Sequence, residues 1–425
     1  MAEQTGPADA FPTHRLANGL QIVGQPMAGV QSAALGFMVI AGARDEAATE
    51  SGIAHFVESI AFQGTQHRDA RALTEAFEEI GARYGASAGT EYTWYSAQVL
   101  GRNLAPALEL LADVLRWPGF PGDEVPKVQS RLVQEIAQME DQPMSLVGEL
   151  MARTYFAGHP LGNSIHGTRE TIAAIDRAAL QSFWDRHYAP NRTILAVAGR
   201  IDFDAVVAQA ERLLGDWPAG APEPVLPPVQ PARRLATLQR ESNQQHIALA
   251  CPAVTVTDPE YYTALIMGDI LGGGMNSRLF EEVREKRGLA YGVGASISAL
   301  KAHGLLRVYC GTTPEKAHES VRVITSELRR LADAGVTEDE LRLAQTSLKS
   351  SIVMRNESTG ARRTVIGTQW WMRGAVRTLA ETRREIEAVT VERVDALARR
   401  LAMADNLTLV TIGPRPAEEL MNHGQ

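Results

Sequence analysis

The sequence predicts an α+β fold made of two homologous domains, each an antiparallel-rich sheet with helices packed on one face. Six prolines crowd residues 218–231, and so proline-rich a segment forms neither helix nor sheet ladder. The two halves beside it repeat one order of elements, in which strands come first, several consecutive helices follow, and a helix and a strand close the half. We therefore predict a first domain at 1–217, a linker at 218–234 and a second domain at 235–425.

The periodicity of apolar residues places the elements within each half. Alternating or continuous apolar runs predict strands at 20–23, 32–40, 191–197, 246–251 and 406–412. Spacings of three and four residues predict helices at 70–80, 104–117, 123–139, 183–188, 314–334 and 391–402. Because the helices follow one another without intervening strands, helices layered on a sheet are expected in each half, not one continuous α/β sheet.

Composition and charge exclude several classes of function. A chain of 425 residues exceeds what one core usually organises, and a net charge of −8 argues against a nucleic-acid partner. The longest apolar run, at 33–43, is shorter than the roughly 20 residues that cross a bilayer, so no membrane partner is expected. Residues 1–12 are polar and do not resemble a signal peptide, although removal of a signal would leave the same start.

Residues 55–59 differ at one position from a zinc-binding signature. In the motif H-x-x-E-H, two His bind zinc and the Glu acts as general base, because positions i, i+3 and i+4 share one helix face. His55 and Glu58 occupy the expected positions, but Ser59 replaces the second His. A neutral hydroxyl is a poor ligand in a site that normally has three protein ligands and a water. The segment therefore predicts a peptidase ancestry without the catalytic metal.

With this near-motif, the chain resembles the pitrilysin/insulinase family of zinc metallopeptidases, the inverzincins. It is most similar to two-domain members such as the mitochondrial processing peptidase subunits and their bacterial relatives. The resemblance covers nearly the whole chain and rests also on segments 42–46, 159–162, 188–191, 271–280 and 284–291. It implies two α+β domains in a clam-like arrangement and zinc-dependent cleavage of enclosed peptides. It also implies a soluble bacterial protein, and both the cytoplasm and the periplasm remain open.

Carried over residue by residue, the resemblance implies a degenerate zinc site. His55 matches the first ligand, Glu58 the general base, and Glu135 the third ligand, 76 positions after residue 59 (135 − 59). The family places a supporting Glu two helical turns before the third ligand, where this chain has Val128. Changes outside the ligand set alone cost about 10–100-fold in metal affinity or activity. We therefore expect no metal or other cofactor in this chain.

The resemblance also assigns a substrate-pairing strand to Gly85, Ala86 and Ser87. Relatives usually have Asn-Ala in this strand, where this chain has Gly85-Ala86. A single engineered knockout would explain Ser59 but neither Val128 nor Gly85, so natural degeneration is the favoured interpretation.

A different pair of residues is retained in the second half. Relatives use an Arg and a Tyr, seven residues apart, to hold the substrate and stabilise the tetrahedral intermediate, and Arg284 and Tyr291 have that spacing. A cation and a phenol directed at a developing oxyanion form a chemically sensible pair, since losing one such donor costs about 10²–10³ in rate. The alternative is that Arg284 belongs only to a solvated charged run at 281–287.

Three functional hypotheses follow. The first is a non-catalytic subunit of a heterodimeric zinc peptidase, inactive alone, which supplies Arg284 and Tyr291 for peptide substrates. Its partner would be a homologous subunit with an intact H-x-x-E-H motif, and the zinc would be held there. The second is a structural or peptide-binding homologue without a catalytic role. The third is a weak stand-alone peptidase with a compensating ligand.

Overall fold

The computed structural model describes residues 11–230, 232–401, 403 and 405–421. It confirms the predicted fold class, with two mixed sheets that both carry helices. The expectations for residues 1–10, for Pro231 in the predicted linker and for Ala402 at the predicted helix end lie outside the described residues. Among the described helices, none combines the length and apolar character needed to cross a membrane.

The strands and helices overlap every run that the sequence predicts. The strands are β1 (Thr13–Arg15), β2 (Gln21–Pro26), β3 (Ser32–Val39), β4 (Arg83–Ala88), β5 (Thr93–Leu100), β6 (Thr193–Gly199), β7 (Leu235–Gln239), β8 (Gln245–Ala253), β9 (Ala290–Ala299), β10 (Gly304–Thr312) and β11 (Thr408–Gly413). The helices are α1 (Ile53–Ile60), α2 (Ala70–Glu79), α3 (Leu104–Arg116), α4 (Val125–Glu140), α5 (Pro143–Tyr155), α6 (Arg169–Ala174), α7 (Arg177–His187), α8 (Phe203–Leu214), α9 (Tyr261–Gly272), α10 (Ala317–Ala334), α11 (Glu338–Asn356), α12 (Thr359–Arg373), α13 (Leu379–Glu387), α14 (Val391–Leu401) and α15 (Ala417–Met421).

The two sheets share one topology. The first has the order β1-β2-β6-β3-β5-β4 and the second the order β7-β11-β8-β10-β9. Each contains one parallel pair, β2 with β6 and β7 with β11, while the other neighbouring strands run antiparallel. The parallel pair occupies the same place in both orders, so the repeat predicted from the sequence is present in the sheets, and β1 is an additional edge strand of the first.

The chain forms two compact units that exchange one helix each. Unit 1 comprises Met1–Ala137, Asn163–Val225 and Val353–Thr378, and unit 2 comprises Gln138–Gly162, Leu226–Ile352 and Leu379–Gln425. Helix α5 comes from the first half of the chain but packs on β8 and β11 in unit 2. Helix α12 comes from the second half but packs on β2, β3 and β6 in unit 1. Domains drawn in chain order, at 1–217 and 235–425, do not contain this exchange.

The exchanged helices pack apolar side chains against the second face of each sheet. In unit 1, Leu35 and Phe37 of β3 face the main core, whereas Met38 faces a smaller cluster that includes Ile366 and Trp371 of α12. Strand β3 is therefore buried on both faces, which explains why its sequence is a nearly continuous apolar run. Helices thus cover both faces of this sheet and not only the one predicted face, and among the described helices α12 packs on the second face.

Candidate functional site

Helix α1 presents the three residues of the near-motif on one face. Ile53, Phe56, Val57 and Ile60 are fully buried in the core of unit 1, so they fix the rotation of the helix. His55, Glu58 and Ser59 lie on the opposite, partly exposed side, as the i, i+3, i+4 spacing predicts.

The start of α1 is held by the buried side chain of Glu46, which lies in segment 42–46 and to which the sequence analysis assigned no role. The side chain of Glu46 accepts hydrogen bonds from the backbone N–H groups of Gly52, at 2.8 Å, and Ala54, at 2.9 Å. Gly52 has φ +90°, which an L side chain rarely adopts, so glycine permits the sharp entry into the helix. Two otherwise unpaired donors at the helix start are satisfied in this way, and the position of His55 is fixed.

His55 bridges the two carboxylates that were predicted around it. Its Nδ1 lies 3.0 Å from Oε2 of Glu58, and its Nε2 lies 3.0 Å from Oε2 of Glu135 on α4. Burial lowers the pKa of His55, but the hydrogen bonds and charges of Glu58 and Glu135 outweigh it, so the pKa is raised above its ordinary value of 6.5. Because ionised carboxylates only accept hydrogen bonds, the doubly protonated imidazolium satisfies both contacts at once.

Ser59 and a neighbouring arginine complete the arrangement. The Ser59 hydroxyl donates to Oε2 of Glu58 at 3.3 Å, the oxygen that also contacts His55. Arg131, one helical turn before Glu135, donates from Nη2 to the Ser59 carbonyl at 3.0 Å, and its Nε lies 3.7 Å from Oε1 of Glu135. Arg131 was not predicted from the sequence, although its i, i+4 spacing from Glu135 could have revealed it.

Three further residues bear on whether a metal could bind here, namely Val128, His67 and His166. Val128, at the expected place of the supporting Glu, is 1% exposed in the core of unit 1 and offers only apolar surface. His67 is engaged elsewhere, with Nδ1 2.6 Å from Oδ1 of Asp113. The ring of His166 lies edge-on to the ring of His55 with 5.2 Å between centroids, a proximity that sequence spacing did not indicate.

These residues do not fit the zinc site of the family. Both ring nitrogens of His55 already face carboxylates, the Ser59 hydroxyl donates to the general-base position, and the Arg131 cation lies beside Glu135. Over the described ranges, no group of three or more His, Cys, Asp or Glu side chains is arranged to hold a metal ion. The arrangement is a hydrogen-bond network in which the His55 ring occupies the place between the two carboxyl groups.

Arg284 lies in unit 2 on the exposed side of a π-helical turn, Phe280–Glu285. Its guanidinium stacks over the ring of Phe280, with 4.9 Å between Cζ and the ring centroid. Its charged neighbours behave differently, because Lys286 and Arg287 both pair with Glu282. Among the described residues, Arg284 has no ion-pair partner, which distinguishes it from the solvated run around it.

Tyr291, at the start of β9, is also accessible. The residue is 49% exposed, and its hydroxyl donates to Oε1 of Gln244 at 3.2 Å. The ring lies directly over Gly311 of β10, where a Cβ atom would come within 2.7 Å of the hydroxyl oxygen. A glycine at 311 therefore leaves the space that the phenol occupies. The roles assigned to Arg284 and Tyr291 remain predictions.

The predicted substrate strand is the edge strand β4 of unit 1. Gly85, Ala86 and Ser87 pair with residues 94–96 of β5 on one side. On its other side, β4 has no strand partner within the part of the chain that the structure describes. An edge of this kind presents unpaired backbone donors and acceptors to an incoming peptide.

Comparisons with known proteins identify the family that the chain resembles. Residues 23–169 match the insulinase family, peptidase family M16, and residues 174–348 match the family described as the peptidase M16 inactive domain. A protein of Mycobacterium tuberculosis described as an uncharacterized zinc protease is 34% identical over 402 residues, covering 93% of this chain and 92% of that protein. YmxG of Bacillus subtilis, also described as an uncharacterized zinc protease, is 32% identical over 397 residues, covering 93% and 97%.

Solved structures show the same fold. The peptidase M16 inactive domain from Pseudomonas fluorescens aligns with a TM-score of 0.89 at 24% identity, covering 96% of this chain and 98% of that one. A protease from Helicobacter pylori aligns with a TM-score of 0.87 at 19% identity, covering 95% and 99%.

Proposed function

The chain belongs to the insulinase family of peptidases, family M16, and on that premise we propose that it is the non-catalytic subunit of a heterodimeric zinc metallopeptidase. The partner is a homologous subunit with an intact H-x-x-E-H motif, and it holds the zinc. This chain contributes Arg284 and Tyr291, which bind the peptide substrate and stabilise the oxyanion of the tetrahedral intermediate.

The observation that carries the first part of the proposal is the bridged state of His55. A peptidase of this class needs a metal to lower the pKa of a bound water, and Glu58 could then take a proton from it. Here Oε2 of Glu58 already contacts both His55 and Ser59, and the second ligand position is a hydroxyl. The near-motif therefore supports retention of the fold without its own hydrolytic chemistry.

The second part of the proposal is supported by the accessibility of Arg284 and Tyr291. A side chain that stabilises an oxyanion must reach solvent or substrate, and both are exposed in unit 2. Arg284 keeps its charge available because it stacks on Phe280 and is not neutralised by the acids of its own run. A purely structural protein has no evident need for this combination.

The experiment is reconstitution with a homologous subunit from the same genome that has an intact motif. We expect this chain alone to leave peptides uncleaved, and an equimolar mixture to cleave them with loss of activity on zinc chelation. Replacing the partner's motif Glu by Gln should abolish cleavage, whereas Glu58→Gln in this chain should leave it unchanged. Chelator-sensitive cleavage by this chain alone, lost in Glu58→Gln, would overturn the proposal.

The neighbouring ring of His166 favours a second candidate, the weak stand-alone peptidase with a compensating ligand. The rings of His166 and His55 contact each other. If both rings gave up their present contacts, two imidazoles near Glu135 would be available to bind a metal ion. Metal analysis after dialysis against micromolar zinc distinguishes the candidates. Stoichiometric zinc in the wild-type chain that is lost in His166→Ala would favour this second function.

A further inference from the structure

A groove in unit 1 lies beside the edge strand β4 and has no assigned role. It has a volume of about 410 Å³, opens to solvent and lies on the sheet face against which α12 packs. Its walls come from β3, β5, β4 and the first turns of α12. The side chains that matter below are Arg83, Trp94, Ser96, Gln98 and Arg363.

Arg363 of α12 is a charged group without a protein partner. Its guanidinium lies over the ring of Trp94, with 4.4 Å between Cζ and the ring centroid. Its Nε is buried without a hydrogen-bond partner, and among the described residues no carboxylate pairs with it. Burial lowers its pKa to about 10. A cation–π contact offsets only part of the cost of burying a charge, so an anion entering from the groove would stabilise this side chain.

The groove as a whole has a cationic lining. Arg83, at the start of β4, is exposed and adds a second positive charge, while none of the described residues that line the groove is Asp or Glu. Ser96 and Gln98 add hydrogen-bonding groups on the same face. Charge complementarity therefore selects a negatively charged occupant, and the guanidinium fork of Arg363 suits a carboxylate.

The geometry of β4 favours an extended peptide as the source of that carboxylate. Arg83, Gly85 and Ser87 pair with Gln98, Ser96 and Trp94 of β5, so these positions share the face that borders the groove. A Cβ atom added at Gly85 would meet no atom within 4 Å, so the strand is open on this face. A peptide added along β4 would direct every second side chain toward the groove.

The repeat shows that the fold itself does not need an arginine at this position. Arg363 is the fifth residue of α12, which begins at Thr359. The fifth residue of α5, which begins at Pro143, is Val147, and it is 1% exposed in the apolar cluster that α5 forms with the sheet of unit 2. The same contact between an exchanged helix and a sheet therefore forms with an apolar side chain.

We propose that the groove binds an extended acidic peptide, which pairs with the free edge of β4 and places a carboxylate against Arg363. The carboxylate belongs to an Asp or Glu side chain or to the peptide's C-terminus. The inference rests on the substrate-pairing strand that the resemblance implies and deepens it, because it assigns an acidic class of peptide to this strand and a contact to Arg363. It concerns binding by this chain alone, so it is tested without a partner subunit or zinc and its failure is separate from that of the heterodimer.

The test is fluorescence anisotropy with labelled nine-residue peptides of alternating β-branched and Glu residues. We expect the Glu peptide to bind, the matched Gln peptide to bind at least about tenfold more weakly, and added salt to weaken the difference. A C-terminally amidated Glu peptide shows which carboxylate contacts Arg363. Unchanged affinity of the amidated peptide would identify a Glu side chain, and loss of binding would identify the C-terminal carboxylate. Equal binding of the Glu and Gln peptides, or no binding of either, would overturn the proposal.

Variants of this chain locate the contact. Arg363→Met keeps most of the volume and removes the charge, so it should weaken the Glu peptide at least about tenfold and leave the Gln peptide unchanged. Arg71→Met is the matched control, because Arg71 is an exposed arginine of unit 1 paired with Glu75, and it should bind like wild type. If Arg363→Met does not fold, Arg363→Lys replaces it and should bind with intermediate affinity. Wild-type affinity in whichever of the two variants folds would refute the contact.

Discussion

Units 1 and 2 have the same sheet but carry different chemistry. Both place one parallel strand pair at the same point of an otherwise antiparallel order, and both receive one helix from the other half of the chain. Unit 1 carries the His55 network, whereas unit 2 carries the exposed Arg284 and Tyr291. The sheet is set by long apolar patterns, while the chemistry depends on a few polar side chains that can change without changing the fold.

Helices α1 and α9, which each pack against an edge strand of their sheet, illustrate the difference. In unit 1, α1 contacts β4 and presents His55, Glu58 and Ser59 on its partly exposed face. In unit 2, α9 contacts β9 and is apolar nearly all round, with Ile266, Met267 and other residues buried. Because α9 is mostly buried, we expect the substrate contacts of unit 2 to come from the π-helical turn and the strand that follow it.

The largest expected effect concerns the chemistry of unit 2. In a reconstituted complex, Tyr291→Phe removes one hydroxyl donor with little change in volume, and we expect the rate to fall about 10²-fold, chiefly in kcat. Arg284→Ala should cost at least as much and should also raise KM, because charge and reach are lost together. Steady-state kinetics on a single peptide substrate measures both changes.

The control for these variants is Arg287→Ala. Arg287 belongs to the same charged run but pairs with Glu282, so its loss should leave the kinetics near wild type. If the Arg284→Ala and Tyr291→Phe complexes assemble and cleave at wild-type rates, the pair is structural and unit 2 is a scaffold.

The next largest effect concerns the His55 site of unit 1. Ser59→His restores the second ligand, and we expect zinc affinity to rise by about 10–100-fold or more over the wild-type chain. Ser59→His combined with Arg131→Gln should bind zinc more tightly than Ser59→His alone, because the cation beside Glu135 is then removed. Isothermal titration with zinc measures each step.

Peptidase activity sharpens the same comparison. Ser59→His should recover little cleavage, since Val128 and the Gly85 strand remain altered. Full activity from that one substitution would show that Ser59 alone separates this chain from an active peptidase. Equal zinc affinity in wild type and Ser59→His would contradict the ligand assignment itself.

The sequence predicted local elements and the near-motif, but not the contacts made across the chain. Strand β3 and helix α3 follow from apolar spacing, and the i, i+3, i+4 rule placed His55, Glu58 and Ser59 on one face. The exchange of α5 and α12 could not be predicted, because the amphipathic pattern of a helix shows which face is buried but not which sheet covers it. His166 beside His55 was missed for the same reason, since a loop and a helix far apart in sequence bring the two rings together.

A smaller effect distinguishes the two exchanged helices. A Cβ atom added at Gly367 of α12 would lie 2.6 Å from the Trp94 ring, whereas a Cβ atom added at Gly148 of α5 would meet no atom within 4 Å. Gly367→Ala should therefore destabilise the fold by about 1–3 kcal/mol through overpacking. Gly148→Ala should stabilise it by about 0.5–1 kcal/mol, because alanine loses less backbone entropy inside a helix. Urea denaturation of both variants measures the shifts, and shifts of the same sign would contradict this comparison.

The smallest expected effect is a pH dependence confined to unit 1. Burial lowers the pKa of His55, but the contacts with Glu58 and Glu135 raise it by more than burial lowers it, so the net shift of the pKa is upward. The unfolded chain has the ordinary pKa near 6.5, so the protonated bridge contributes its full stability below that pH and loses it as the pH rises through the folded pKa. His55→Gln should therefore cost more stability at about pH 5.5 than at about pH 8.5.

A second substitution separates this titration from its surroundings. Glu135→Gln removes one of the two carboxylates that raise the pKa, so the extra cost of His55→Gln at low pH should shrink in that background. Glu58 remains in contact with Nδ1, so part of the dependence should survive. If His55→Gln costs the same stability at both pH values, the protonated imidazolium adds no stability over the neutral ring. That result would refute a charged bridge between His55 and the two carboxylates of unit 1.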